Sequence, residues 1–141
     1  MNTYAQTADQ YLAQRVLNAS PEQQAALLME AGQLFLGKAV RDMEQRDYAL
    51  LGRHLGHVAK IINEATNRLN MEDGGELVQN LLKIYAWWNS ELFEAGSTKD
   101  PARLRVLSQH MGQIREAWEQ LHNKNIKATS NIAFELGARV V

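Results

Sequence analysis

Cysteine is missing from the sequence, and its absence excludes disulfide bonds and thiolate-bound metal sites. Only two prolines occur, Pro21 and Pro101, and each stands where a helix would begin. Neither sign of charge is in excess, because 15 basic residues are opposed by 16 acidic ones and the net charge is −1. Such a balance creates no field that would attract nucleic acid or an anionic membrane, so we expect no nucleic-acid partner.

Long apolar runs are also missing. No run of the sequence is long enough to span a bilayer, and the N-terminal residues lack the apolar segment of a signal peptide. We therefore expect no membrane insertion and a cytoplasmic location. Hydrophobic residues nevertheless make up 45% of the 141 residues, which is too many for a disordered composition. One folded domain with a substantial core is the expectation.

Apolar residues recur at alternating steps of three and four on both sides of a turn at residues 70–76. This spacing places one apolar stripe along each of two helices. The stripes are Tyr48, Leu51, Leu55, Val58, Ile62, Ala65 and Leu69 before the turn, and Val78, Leu81, Tyr85, Trp88, Leu92 and Ala95 after it. Two such helices predict an antiparallel hairpin that needs further helices to bury its edges.

A further helix is predicted on each side of this hairpin. Ser20 and Pro21 form a typical helix start, Gln23 can complete a capping box, and the helix is expected to run to about Gln45. The Asp-Pro pair at residues 100–101 starts the last helix in the same way. Its stripe alternates three and four again, at Leu104, Leu107, Met111, Ile114, Trp118 and Leu121.

The short connections between these helices predict an all-α fold, an antiparallel up-down-up-down four-helix bundle. The third helix is expected to end near Gly96, because glycine suits a C-terminal cap. Residues 1–19 are expected to form a mobile N-terminal arm, residues 20–122 the helical bundle domain and residues 123–141 a C-terminal tail. The tail is expected either to be disordered or to lie weakly on an apolar groove, with one or two helical turns capped by Ser130.

The sequence holds no pattern typical of an enzyme or a cofactor site. A di-iron bundle needs two Glu-x-x-His motifs, and only the one at residues 119–122 occurs. His54 and His57 are three residues apart on one predicted helix, but zinc needs at least three protein ligands and no third is evident. Solvated histidines on a helix flank are the expected alternative. We expect no catalytic residue, no cofactor and no metal.

A second set of apolar residues lies beside the seam positions of the predicted helices. The candidate partner-binding members are Leu50, Ile61, Ile84, Trp87 and Val106. The adjacent pair Trp87 and Trp88 is informative, because neighbours on a helix cannot both face the seam. If Trp88 is buried, Trp87 is at least partly exposed and suits the anchoring of a partner helix. For Ile61 and Ile84 core packing is favoured over partner binding, because bundle helices often bury a third position per heptad.

Several short motifs follow one another along the chain. They are Tyr11-x4-Val16-x2-Ala19-Ser20-Pro21-Glu22, Ile61-Ile62-Asn63-Glu64, Leu69-Asn70-Met71-Glu72-x-Gly74-Gly75-Glu76-Leu77, Asn80-Leu81-x2-Ile84-Tyr85, Asn89-x2-Leu92-x-Glu94-Ala95 and Ile114-Arg115-x2-Trp118. Their order and spacing resemble those of the flagellar secretion chaperone FliS family, the flagellin export chaperones. The resemblance covers roughly residues 11–121. Three features depart from the family pattern: the start of the first predicted helix at residues 23–26, a displaced glycine near Gly32 in the middle of that helix, and the length of the tail.

The resemblance implies a helical bundle that binds the disordered C-terminal segment of flagellin, prevents its premature polymerisation and delivers it to the flagellar type III export apparatus. It also implies docking on the cytosolic domain of the flagellar export-gate protein. Tyr11 is, by resemblance, the candidate for that contact or for docking of the arm, and simple packing of the arm is the alternative. A disordered client loses conformational entropy on binding, and long apolar grooves can offset that loss. A monomer or weak homo-oligomer is expected.

Two other functions remain open from the residues alone. One is a structural helical bundle that self-associates through the same apolar face. The other is a cofactor-binding bundle. We also expect the arm or the tail to cover the client groove in the free protein, because both carry apolar residues.

Overall fold

The computed structural model of the protein describes residues 10–11, 13–15, 17–70, 72 and 75–140, with residues 125–140 described by their backbone alone. Four helices account for most of them: α1 Pro21–Glu44, α2 Tyr48–Asn67, α3 Glu76–Thr98 and α4 Pro101–Val140. A short helical segment at the described positions of residues 10–17 precedes α1. These ranges contain no strand, and none of their helices combines the length and apolar composition needed to cross a bilayer. The predicted all-α class is confirmed.

The four helices close into a ring in which each packs against two others. Helix α1 packs against α2 and α4, and α3 packs against the same two helices from the other side. Because the connections are short, consecutive helices run antiparallel, and the predicted up-down-up-down bundle is confirmed. Helix α1 approaches its neighbours closely, since its buried side includes Ala26, Gly32 and Ala39. Tyr85 and Trp88 fill the space on the inner side of α3.

The core combines residues of the predicted stripes on α2, α3 and α4 with Met29 and Leu36 of α1, which no predicted stripe included, whereas the predicted stripe residue Tyr48 is exposed. The largest fully buried side chains of the core are Trp88, Tyr85, Met29, Leu36, Leu51, Ile62, Leu104, Leu107, Met111 and Val58. Burying a side chain of this kind contributes about 1.5–3 kcal/mol. Because this burial stabilises the helices, the three-four spacing of apolar residues is a reliable sign of where they lie.

The predicted helix starts are present. Ser20 Oγ accepts a hydrogen bond of 3.1 Å from the Gln23 backbone N–H, and Gln23 Oε1 accepts one of 2.9 Å from the Ser20 N–H. This reciprocal pair is a capping box. Asp47 caps α2 by accepting from the Leu50 N–H at 3.2 Å. Each cap satisfies a backbone donor that the first helical turn leaves free.

The expected cap at Gly96 is wrong. Helix α3 continues to Thr98, and Lys99 adopts the left-handed conformation, with φ of 56°. The Lys99 ammonium donates a hydrogen bond of 2.6 Å to the Gly96 carbonyl, which satisfies one of the last carbonyls of the helix. Gly96 instead permits close packing on α2, since a Cβ at this position would lie 3.2 Å from Leu55 Cδ1. Gly96 is therefore explained by the close approach of α3 to α2 and not by the end of a helix.

Helix α4 extends well past its predicted end near Leu121 and runs without a break to Val140. Ser130 lies inside this helix, so the expected cap at that position is wrong. Residues 122–136 contain neither proline nor glycine, and nothing in them stops the helix. The division of the chain at residues 19 and 122, and the mobility of the arm, stay predictions. Val16, Met71, Asp73 and Gly74, which belong to the motifs and to the predicted turn, lie outside the described residues.

Candidate functional site

An open groove of about 570 Å³ lies between α2 and α3 on the outside of the bundle. Its lining residues are Leu55, Gly56, Ala59, Asn89, Leu92, Phe93, Gly96, Ser97 and Lys99. Phe93 stands beside the groove with 74% of its surface exposed, whereas Gly56 and Ala59 leave the α2 side shallow. A volume and an apolar lining of this kind are typical of binding sites.

Apart from Lys99 at its end, the groove belongs to a longer surface without charged residues, which we name the uncharged face. On α2 it consists of Tyr48, Gly52, Leu55, Gly56, Ala59, Asn63 and Thr66, and on α3 of Val78, Leu82, Asn89, Phe93 and Gly96. Apart from the adjacent pair Leu55 and Gly56, steps of three, four or seven keep each set on one side of its helix. The 20 residues of α2 make this face roughly 30 Å long. In a chain with 22% charged residues, such a surface suits an apolar partner.

The opposite side of α3 carries a second apolar surface, the Trp87 patch, formed by Trp87, Val106 and His110. Trp87 is 45% exposed and Val106 is 46% exposed. The ring centroids of Trp87 and His110 lie 5.3 Å apart at an interplanar angle of 33°. An ion pair of 3.3 Å between Arg103 Nη1 and Glu91 Oε2 joins α3 to α4 nearby. The patch therefore straddles the α3–α4 boundary.

The structure divides the residues predicted to bind a partner. Trp87 and Val106 belong to the Trp87 patch. Ile84, which lies on α3 as Trp87 does, is half-buried and packs against the core of the bundle. Ile61 lies on the side of α2 that faces α1. Leu50 belongs to the same side because it is four residues before His54, which contacts Asp42 of α1. Ile61 packs there close to Gly32, where a Cβ would lie 3.7 Å from Ile61 Cγ2. The six residues do not form one groove, and their role in partner binding stays a prediction.

Tyr11 lies apart from the other five predicted residues. It is 64% exposed and lines a separate cleft of about 620 Å³ between the N-terminal segment, α1 and α4. At the same end of the bundle, Ser20 Oγ lies 2.8 Å from His122 Nδ1. The structure thus places Tyr11 where it is accessible to a partner, and its contact with an export-gate protein stays a prediction.

The two histidines that raised the question of a metal both have protein partners. His54 Nδ1 lies 2.5 Å from Asp42 Oδ2, and the His57 ring stacks on Phe35 with centroids 4.8 Å apart. In the part of the chain that the structure describes, no three His, Asp or Glu side chains come together as a metal-binding group. These contacts assign the two histidines to packing between α1 and α2.

Tyr85 is buried in the bundle on the inner side of α3. Burial raises the pKa of its phenol, and the hydrogen bond that Trp118 Nε1 donates to Tyr85 Oη at 3.3 Å partly offsets that rise. The bond links α3 to α4 beneath the surface patches. Tyr85 therefore holds the bundle together and does not reach a partner.

Phe93 is the functional candidate that the sequence prediction missed. The neighbour argument applied to Trp87 and Trp88 applies equally to Leu92 and Phe93, because Leu92 is a seam position. Leu92 is indeed buried and Phe93 exposed. The signal was present in the sequence and would have indicated the second flank of α3.

Known proteins resemble this chain over most of its length. The family model described as Flagellar protein FliS matches residues 4–125. The flagellar secretion chaperone FliS of Vibrio cholerae is 31% identical over 105 residues, which cover 73% of this chain and 76% of that protein. The FliS of Salmonella typhimurium is 28% identical over 125 residues, covering 88% and 90%. The flagellar secretion chaperone FliSB of Pseudomonas aeruginosa is 30% identical over 105 residues, covering 74% and 83%.

Proposed function

Because this chain belongs to the flagellar protein FliS family, we propose that it is an export chaperone of the bacterial flagellum. In this proposal the client is the disordered C-terminal segment of flagellin. Binding prevents premature polymerisation, and the complex is delivered to the flagellar type III export apparatus. The role is one of binding in the cytoplasm, without a catalytic step.

The observation that carries the proposal is the exposed apolar surface on both flanks of α3. The groove beside Phe93 lies on one flank and the Trp87 patch on the other. A disordered segment that folds into amphipathic helices can lay one helix on each flank. Burying the exposed parts of Phe93 and Trp87 would contribute about 1–2 kcal/mol each towards the entropy that the client loses on folding.

Delivery requires a second contact, which we assign to the other end of the molecule. Tyr11 is exposed on the N-terminal segment and is separated from the two flanks of α3. A client bound to α3 would leave Tyr11 accessible to the cytosolic domain of the export-gate protein. The chaperone itself would act as a monomer or weak homo-oligomer.

The test is a calorimetric titration with a synthetic peptide of the C-terminal segment of flagellin from the same organism. We expect one-to-one binding with a negative heat-capacity change, because apolar surface becomes buried. Phe93→Ala and Trp87→Ala should each weaken binding. Leu34→Ala is the matched control, because Leu34 is 59% exposed but lies on the outer side of α1, away from α3.

Two results would contradict the proposal. One is the absence of binding at high micromolar peptide. The other is an equal loss of affinity in all three variants, since the peptide would then recognise exposed apolar residues without regard to their position. Loss of affinity in only one of the α3 variants would leave the function standing and confine the client to that flank.

A further inference from the structure

Three cations gather at the outer boundary between α1 and α2. The Lys38 ammonium lies 5.1 Å from the centroid of the Phe35 ring, and the same ring stacks on His57 of α2 with centroids 4.8 Å apart. Arg53 stands four residues before His57 and Lys60 three residues after it, so both lie on the same side of α2 as His57, and both are exposed. We name Lys38, Arg53 and Lys60 the basic patch.

The cations of the basic patch lack the carboxylate partners that other cations of the protein have. None of the three forms an ion pair with a carboxylate of the described residues. In contrast, Arg105 Nη2 lies 2.6 Å from Glu44 Oε1. An exposed ion pair contributes little to folding, so one unpaired cation needs no explanation. Three at one boundary repel one another, and carboxylates of another molecule would relieve that repulsion.

Carboxylates of the protein limit the length of an anion that the basic patch can hold. On α2, Asp47 precedes the patch and caps the helix, and Glu64 follows it and pairs with Arg68 at 2.9 Å. A nucleic acid or another long polyanion would extend past the patch and meet these negative charges. Arg53 and Lys60 lie about 10 Å apart along α2. The side chains on one face of an extended chain recur about every 7 Å, so a segment of about four to six residues spans the patch.

We propose that the basic patch binds a short acidic segment of a protein other than the client. The segment carries carboxylates on one side, which pair with the three cations. The planar guanidinium of Arg53 holds one carboxylate through two hydrogen bonds, and the ammonium groups of Lys38 and Lys60 attract the others as point charges. The inference goes beyond the proposed function, because no residue of the basic patch lines the groove beside Phe93 or belongs to the Trp87 patch.

The probe is a fluorescein-labelled hexaglutamate peptide, titrated with the full-length protein and followed by fluorescence anisotropy. We expect saturable binding that weakens as the salt concentration rises, because exposed charges are screened. A labelled hexaglutamine peptide, which has the same length and label but no side-chain carboxylate, should not bind.

Charge reversal on α2 locates the site. Arg53→Glu/Lys60→Glu should weaken the binding of the hexaglutamate peptide by about tenfold or more. Lys83→Glu/Lys124→Glu is the matched control, because it changes the net charge equally and both lysines are exposed on other helices. The control should lose less than about twofold in affinity. Arg53→Lys/Lys60→Arg keeps both positive charges and should bind nearly as the wild type does, and thermal unfolding verifies that every variant is folded.

Three results would overturn the basic patch as a site for an acidic segment. The first is no binding of the hexaglutamate peptide at high micromolar protein. The second is an equal loss of affinity in the two charge-reversed variants, since only the net charge would then matter. The third is tighter binding of a single-stranded oligonucleotide of similar length, which would make nucleic acid the occupant.

The flagellin peptide separates this inference from the proposed function. Arg53→Glu/Lys60→Glu should bind the flagellin peptide as tightly as the wild type does. A loss of affinity there would assign the basic patch to the client and overturn the second partner. If the wild type binds the hexaglutamate peptide but not the flagellin peptide, the proposed function fails and the basic patch stands.

Discussion

His54 Nδ1 lies 2.5 Å from Asp42 Oδ2 and joins the last turn of α1 to α2. Asp42 is a buried carboxylate near the C-terminal end of a helix, where the backbone carbonyls disfavour a negative charge. The hydrogen bond from His54 compensates for this position. The pair therefore fixes the C-terminal end of α1 against α2.

Removing the imidazole of His54 should destabilise the protein more than removing that of His57. We expect His54→Ala to lower the free energy of unfolding by about 2–3 kcal/mol, because Asp42 loses its partner while it stays buried. His57→Ala, which removes an exposed ring stacked on Phe35, should cost about 1 kcal/mol or less. Urea denaturation of both variants measures the difference. Equal losses would contradict the role given to the Asp42–His54 bond.

Alanine substitutions at two glycines of α1 should change the stability of the bundle in opposite directions. A Cβ on Gly32 would lie 2.7 Å from the sulfur of buried Met111, so Gly32→Ala should destabilise the bundle by about 1–3 kcal/mol. Gly37 faces open space, and Gly37→Ala should stabilise it by about 0.5–1 kcal/mol. Thermal unfolding gives both values. A stabilised Gly32→Ala variant would show that Met111 moves aside without cost.

Tyr85 should make the bundle sensitive to alkaline pH. Burial raises the pKa of Tyr85 in the folded protein above its value of 10.0 in the unfolded chain. The folded state therefore holds this proton more tightly. The resulting stabilisation is complete below pH 10 and is lost as the pH rises through the folded pKa.

Tyr85→Phe provides the comparison for this pH dependence. Below pH 10 the variant should be less stable than the wild type by about 1 kcal/mol, because Trp118 loses its hydrogen-bond acceptor. Above pH 10 that difference should shrink, since phenylalanine has no proton to release. Denaturant titrations at neutral pH and at high pH measure it. A constant difference across this range would refute a raised pKa for Tyr85.

Ser20 should contribute more to the stability of the protein than an ordinary helix cap does. Its hydroxyl accepts from the Gln23 N–H and also meets His122 Nδ1 on α4. We expect Ser20→Ala to cost about 1–2 kcal/mol, and Gln23→Ala, which removes only the reciprocal bond of the capping box, about 0.5 kcal/mol. A double-mutant cycle with His122→Ala isolates the tertiary part. Additive losses in the cycle would mean that Ser20 acts as a local cap alone.

The helices and the family could be predicted from the sequence with few errors. The stripes on α2 and α3, the capping box at Ser20 and the cap at Asp47 all depend on residues within about one helical turn, and all are present. The resemblance of the motifs is confirmed by the match of the family model over residues 4–125. The local errors lay at helix ends. Gly96 serves helix approach instead of a cap, and α4 continues past Leu121 because no breaker follows.

The candidate site was only partly predictable. Trp87 and Val106 were identified because an apolar residue next to a seam position must point outward, and both are exposed in the structure. Leu50 and Ile61 satisfied the same pattern, yet they lie on the α1 side of α2. The apolar pattern shows how far a residue points away from the core. It does not show which neighbouring helix that residue faces. The uncharged face was missed for this reason, whereas the exposure of Phe93 follows from its position next to the seam residue Leu92.

Periodicity and capping are properties of one helix, so the order of residues determined where each helix starts and which stripe it buries. The neighbour of each flank depends on how the four helices are ordered and rotated in the bundle, and that arrangement follows from contacts between residues far apart in the chain. Only the tertiary structure therefore placed Gly56 in the same groove as Phe93, and Trp87 beside His110. Those long-range contacts decided which of the residues beside each stripe pack against a neighbouring helix and which remain exposed.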